Sequence, residues 1–167
     1  MGTPDFAVAT LKILVEHNYN IVGVITAPDK PAGRGRQLHE SAVKKYAKTV
    51  DLHIMQPPNL KSEKFIEALK SLKANLQIVV AFRMLPKVVW EMPKYGTFNL
   101  HASLLPNYRG AAPINWAIIN GEPKTGVSTF FIDEKIDTGA MILQEETAIE
   151  PNETAGELHD KLMKIGS

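Results

Sequence analysis

Ile21-Val22-Gly23-Val24-Ile25-Thr26 is the stretch on which the fold turns. Five of its six residues are β-branched, and apolar side chains occupy consecutive rather than alternate positions. A strand of that kind is apolar on both faces and belongs to a sheet covered on both sides, as parallel sheets are. The run from Gln77 to Phe82 repeats the pattern. Between the two lie amphipathic helical patterns at Ser41 to Lys48 and Ser62 to Leu72, with a strand predicted at His53 to Gln56. Upstream, Thr3 reads as an N-cap, Pro4 as the first helical residue and Asp5 as a first-turn acid, ahead of an apolar face made by Phe6, Val8, Leu11, Leu14 and Val15.

Downstream the alternation continues. Pro86 opens a short helix through Glu91, Thr97 to Leu100 reads as a strand, and Pro113 sits in the first turn of a helix covering Ile114 to Ile119. Strands at Gly126 to Ile132 and Met141 to Ile149 follow, joined by a polar, Gly-containing connection that suits antiparallel neighbours. Thr154-Ala-Gly-Glu157 is a capping box ahead of Leu158, Leu162 and Ile165. The expected class is therefore α/β, with a mostly parallel mixed sheet and helices on both faces. A domain of this class that opens on a helix lacks the strand that should feed it, and Met1-Gly2 is too short to be that strand. Several apolar residues are expected ahead of Met1.

Composition narrows the chemistry. The chain has 167 residues, 44% hydrophobic and 22% charged, with 19 cations against 18 anions and a net charge of +1, an ordinary globular balance that does not by itself suggest nucleic acid. No apolar run approaches the roughly 18 residues a membrane helix needs, and no basic-then-apolar leader opens the sequence. A soluble, cytoplasmic chain with no membrane partner is expected. There is no cysteine, which excludes disulfides, thiolate nucleophiles and cysteine-ligated metals.

Candidate chemistry starts at Asn99-Leu100-His101. Side chains alternate along a strand, so Asn99 and His101 share a face at the carboxyl end of the strand, where ligands bind in open α/β sheets. Taken alone, His101 could equally satisfy a loop hydrogen bond. Asp137, in Lys135-Ile-Asp-Thr-Gly139, is a turn aspartate by local pattern. Beside an imidazole it would favour the protonated ring and could accept a proton from an amine. Asp29-Lys-Pro-Ala-Gly-Arg-Gly-Arg36 reads as a mobile basic loop, either a solvated connection or a phosphate contact in which Arg34 and Arg36 grip phosphates bidentately. His17, His39, His53 and His159 are taken as structural. Walker and dinucleotide glycine patterns are absent, and no His or carboxylate cluster has metal-ligand spacing.

Asn99-Leu-His-Ala-Ser-Leu-Leu-Pro106 resembles the folate-dependent formyltransferases. Met1-Gly-Thr-Pro-Asp-Phe-Ala-Val8, Pro28-Asp-Lys-Pro-Ala-Gly-Arg-Gly35, Tyr108-Arg-Gly-Ala-Ala-Pro113 and Ile136-Asp-Thr-Gly139, in order along the chain, narrow the resemblance to the methionyl-tRNA formyltransferases. The resemblance implies a Rossmann-like catalytic domain over residues 1–167, trimmed at both ends, without the β-barrel tRNA-binding domain that follows it in the family. It implies 10-formyltetrahydrofolate as formyl donor, initiator methionyl-tRNA as acceptor, no metal, and a monomer. By position, Asn99, His101 and Asp137 match the catalytic trio. Ser103, Leu104, Leu105 and Pro106, with Phe82, Arg83, Met84 and Leu85, match the folate-binding segments, and Lys30, Arg34 and Arg36 match the part approaching the tRNA acceptor end. Arg83 stands where the family usually has Gly, and Ala140 where it usually has Asp. The rival expectations are an amino sugar nucleotide as acceptor and a catalytically silent folate-binding module.

Overall fold

The computed structural model describes residues 1–32 and 37–167, and the chain divides into two compact units, Met1–Gly96 and Thr97–Ser167. In the first unit, α1 (Asp5–Glu16) begins one residue later than the cap pattern suggests, because Pro4 is extended and takes the N-cap position. Its buried residues Phe6, Ala7 and Leu11 form the apolar stripe, and the helix packs on α2 (Ala42–Thr49) and on β5 (Gln77–Val80). Ser41 caps α2 by accepting a bond from the Lys44 N–H. The Ile21 to Thr26 run contributes only β1 (Val24–Ile25), which pairs in parallel with β4 (Ile54–Met55). α3 (Glu63–Ser71) buries Phe65 and Leu69, and α4 (Lys87–Trp90) is a single turn after Pro86.

The described residues of the basic segment are strands rather than the loop expected. Lys30–Ala32 (β2) and Gln37–His39 (β3) form an antiparallel hairpin, with Lys30 opposite His39 and Pro31 opposite Leu38. Proline is tolerated there because a two-stranded ribbon has free edges on which no N–H is needed. Arg34 and Arg36 lie outside the described residues. A charge cluster pins the base of the hairpin. Asp29 accepts from Lys44 Nζ at 2.5 Å and from Gln56 Nε2 at 2.7 Å, and Glu40 accepts from Lys48 Nζ at 2.5 Å and lies 3.1 Å from Lys44 Nζ. The Lys44 ammonium, then the Gln56 amide, holds the Asp29 carboxyl below its ordinary range, while Lys48 and Lys44 do the same for Glu40.

Met1 and Gly2 occupy a strand position between β1 and β5. The Gly2 N–H donates to the Ile25 carbonyl at 3.0 Å, the Val80 N–H donates to the Met1 carbonyl at 2.9 Å, and the Met1 ammonium donates to the Ile78 carbonyl at 2.6 Å. Gly2 forms a parallel bridge with Val80. A Cβ on Gly2 would lie 2.4 Å from the Ala7 Cβ and 2.8 Å from the Val80 carbonyl, so only glycine lets α1 close on the sheet here. Met1 and Gly2 also line a cleft of about 420 Å³, together with Leu14, Ile21, Val22, Leu72, Leu76 and Ile78 among others. Desolvation pushes the Met1 ammonium from its ordinary 8.0 down to about 5. The unfolded chain therefore binds a proton between these values that the folded chain does not, so the cost of burying the charged amine is absent above pH 8, grows as pH falls from 8 to 5 and is complete below 5. An apolar, β-branched extension ahead of Met1 would replace the ammonium by an amide and is expected to bury apolar side chains in the cleft. Thermal scans of the extended chain should show a melting temperature higher by roughly 5 °C or more, at ~3 °C per kcal/mol for this size. They should also show a weaker dependence on pH between 8 and 5.

The second unit is built on three antiparallel strands, β6 (Thr97–His101), β7 (Lys124–Phe131) and β8 (Met141–Ala148). β6 pairs with β7 in the register Phe98–Phe131, Asn99–Phe130, Leu100–Thr129 and His101–Ser128. α6 (Ala155–Ile165) carries the full capping box between Thr154 and Glu157, as its sequence predicts, and buries Leu158 and Leu162 completely. It packs on β7 and on α5 (Pro113–Ile119), whose first turn holds Pro113. Among the described residues, no helix is long and apolar enough to cross a membrane.

Candidate active site

All three residues of the matched catalytic trio belong to the second unit. Asn99 and His101 lie two apart on β6, hence on one face. His101 is buried, and its ring is held from both sides. Nε2 is 2.8 Å from the Tyr108 carbonyl, and since a carbonyl oxygen can only accept, Nε2 carries a proton. Nδ1 lies 3.8 Å from Asp137 Oδ2, beyond hydrogen-bond length but close enough for an ion pair when the ring is protonated.

Asp137 arrives on the connection between β7 and β8 with φ at +53°. Its Oδ2 accepts from the Gly110 N–H at 2.8 Å and its carbonyl accepts from Arg109 Nε at 2.9 Å. Tyr108, Arg109 and Gly110 thus touch both His101 and Asp137. The connection can close down because of Gly139: a Cβ there would lie 1.6 Å from the Phe131 carbonyl, and the Phe131 N–H donates to the Ala140 carbonyl at 2.9 Å. Ala140 contributes that carbonyl whatever its side chain.

Ser103 to Pro106 follows β6 directly. Ser103 is fully buried and donates to the Asn107 carbonyl at 2.7 Å. Ser128 on β7 donates to the Ser103 carbonyl at 2.6 Å and accepts from the Leu105 N–H at 3.1 Å, and Gln144 on β8 donates to both Ser128 Oγ and the Leu105 carbonyl. Leu105 is buried and Pro106 exposed. In the first unit, Phe82 to Leu85 leaves β5 with Leu85 buried and Met84 exposed. The Arg83 guanidinium donates to the carbonyls of Pro57 and Pro58 and stands 5.5 Å from the Phe82 ring centre. Lys30 is exposed on its hairpin. Among the described residues no group of three or more His, Asp or Glu could hold a metal ion.

The sequence profile of the formyl transferase family matches residues 1–167. The chain belongs to the formyl transferase family. It is 72% identical over 167 residues to the methionyl-tRNA formyltransferase of Flavobacterium johnsoniae, covering 100% of this chain and 53% of the relative, and 61% identical over 166 residues to that of Bacteroides fragilis, covering 99% and 51%. The chain therefore spans about half the length of these curated relatives. The crystal structure of phosphoribosylglycinamide formyltransferase from Bacillus halodurans shares the fold, with a TM-score of 0.80 over 99% of this chain and 85% of that one, at 22% identity. A sugar 3N-formyl transferase crystallised with dTDP and 5-N-formyl-THF matches with a TM-score of 0.70 at 27% identity, covering 99% of this chain and 56% of that one.

Within this formyl transferase chain, sequence patterns pass over Ser128, Gln144 and Glu122, and over the bond Tyr108 makes to Glu122. Ser128 left one signal, a small polar residue inside the apolar run of β7. Tyr108 stands in a motif of the resemblance, but neither its bond to Glu122 nor Glu122 itself left a signal, because that partnership is set by the end of α5. Ser128→Ala removes a buried hydroxyl that links three backbone or amide groups, leaving the Leu105 N–H without its acceptor. Urea unfolding should show a loss of about 1–3 kcal/mol.

Proposed function

We propose that the protein of which this chain is the catalytic part transfers a formyl group from 10-formyltetrahydrofolate to the α-amino group of methionine on initiator tRNA, in the cytoplasm. The observation that carries this reading is the approach of His101 Nδ1 to Asp137 Oδ2 beside Asn99, in a chain 72% identical to a curated methionyl-tRNA formyltransferase. The neutral amine attacks the formyl carbon, forming the new N–C bond, and the carbonyl oxygen gains the negative charge. Asn99 and protonated His101 donate hydrogen bonds to that oxygen. Asp137 receives the amine proton directly or through a water. As the bond from the formyl carbon to the folate nitrogen breaks, His101 gives that nitrogen a proton, and the proton on Asp137 restores His101. One proton leaves the acceptor and one arrives on the donor, so the reaction balances without an added acid or base.

Ser103 to Pro106 and Phe82 to Leu85 are assigned to folate, and Lys30, Arg34 and Arg36 to the phosphates of the acceptor stem. His101→Ala in the full-length protein should lower kcat about 100-fold to 1000-fold, the loss expected for one oxyanion donor, with folate affinity little changed. Retained turnover would overturn the assignment of His101. Arg36→Ala should weaken tRNA binding and flatten its salt dependence while single-turnover chemistry stays near normal. Parallel assays with charged tRNA and an amino sugar nucleotide identify the acceptor, and formylation of the sugar alone would refute tRNA.

A further inference from the structure

His101 has two ring nitrogens, and what decides which one meets the substrate is a backbone carbonyl. The Tyr108 carbonyl holds Nε2 at 2.8 Å, leaving Nδ1 on the side of Asp137. That carbonyl belongs to a residue with φ at +56°, a left-handed conformation that costs a tyrosine free energy and persists only where the surroundings impose it. The surroundings are visible. The Tyr108 hydroxyl donates to Glu122 Oε1 and accepts from Asn120 Nδ2 at 3.0 Å. Both partners follow α5 and are fixed by its C-terminal turn, where the Asn120 N–H donates to the Trp116 carbonyl and the Glu122 N–H to the Ala117 carbonyl, each at 3.0 Å. The Glu122 carboxylate also pushes the Tyr108 phenol up from its ordinary value, which keeps it a donor.

We infer that Tyr108 and Glu122 are positioning residues: the anchored phenol fixes the Tyr108 carbonyl against His101 Nε2, commits a proton to that nitrogen, and makes Nδ1 the atom that exchanges protons with the reacting groups. Arg109 and Gly110, the next two residues, hold Asp137 at the same time. A single strap therefore sets both members of the pair. The role of Nδ1 rests on the formyl-transfer reading above. The state of the ring does not, because it exists without substrate.

The test uses the full-length protein with Tyr108→Phe, Glu122→Ala and Glu122→Gln. In the parent, 15N spectra of the imidazole without substrate should show the Nε2–H form as the neutral tautomer. Tyr108→Phe and Glu122→Ala should lose that fixed tautomer and lower kcat roughly ten- to a hundredfold, with KM for either substrate within about twofold. Glu122→Gln still offers an oxygen to the phenol, so it should restore both the spectrum and the rate. An unchanged spectrum and kcat in Tyr108→Phe would overturn the proposal, as would a Glu122→Gln enzyme as impaired as Glu122→Ala. If Tyr108→Phe fails to fold, the two Glu122 variants decide. A parent that formylates no acceptor refutes the reaction, and the substrate-free tautomer comparison then decides the anchor alone.

Discussion

The register between β6 and β7 is the constraint on which the candidate site depends. Pairing Leu100 with Thr129 and His101 with Ser128 puts Leu100 on the face that meets Gly166, the C-cap of α6, and puts Asn99 and His101 on the other. A slip of one residue would exchange the faces, turning an amide and an imidazole toward α6 in place of Leu100. The slip is opposed by more than apolar area. Ser128 can bond Ser103 and Leu105 only when it stands opposite His101, so the hydroxyl acts as a register pin. The same bonds fix the segment that continues from His101, which ties the position of the chemistry to the position of the proposed folate contacts.

Much of the helical architecture is legible in the sequence. Caps, proline positions and apolar periods locate the six helices among the described residues to within a residue or two, because those signals are local. Strand lengths were less legible. Ile21 to Thr26 has the composition of a six-residue strand but pairs with β4 at only two positions, Val24 with Ile54 and Ile25 with Met55. A propensity describes what a segment can do, while a ladder needs a partner. The paired strands at Lys30–Ala32 and Gln37–His39 read as loop in the sequence for a related reason: Pro31 argues against an inner strand and says nothing against an isolated ribbon.

The candidate site divides along the same line. Asn99 and His101 could be paired from sequence because strand alternation relates them over two residues. Asp137 could be attached to them only through resemblance, since nothing local distinguishes it from any turn aspartate before Gly. The contacts that hold the pair are the least legible. They run through main-chain groups, the Tyr108 carbonyl and the Gly110 N–H, which every residue possesses and no sequence pattern marks. Arg83 shows the opposite limit. A bulky cation in place of glycine looks disruptive in a motif, yet its guanidinium donates to the carbonyls of Pro57 and Pro58.

The absence of cysteine fits the chemistry these residues can perform. Acyl transfer through an enzyme nucleophile needs a group activated by a neighbouring base. Direct transfer between two nitrogens has no such need, because the attacking amine is itself the nucleophile and the proton count of donor plus acceptor does not change. What such a reaction requires is a donor for the transient oxyanion and a relay that takes a proton at one nitrogen and returns it at the other. An imidazole with one nitrogen occupied and the other near a carboxylate meets that requirement. The 3.8 Å gap between Nδ1 and Oδ2 is suited to it, since a tight hydrogen bond there would keep the proton between the two residues, whereas an ionic contact leaves Nδ1 free to meet the substrate.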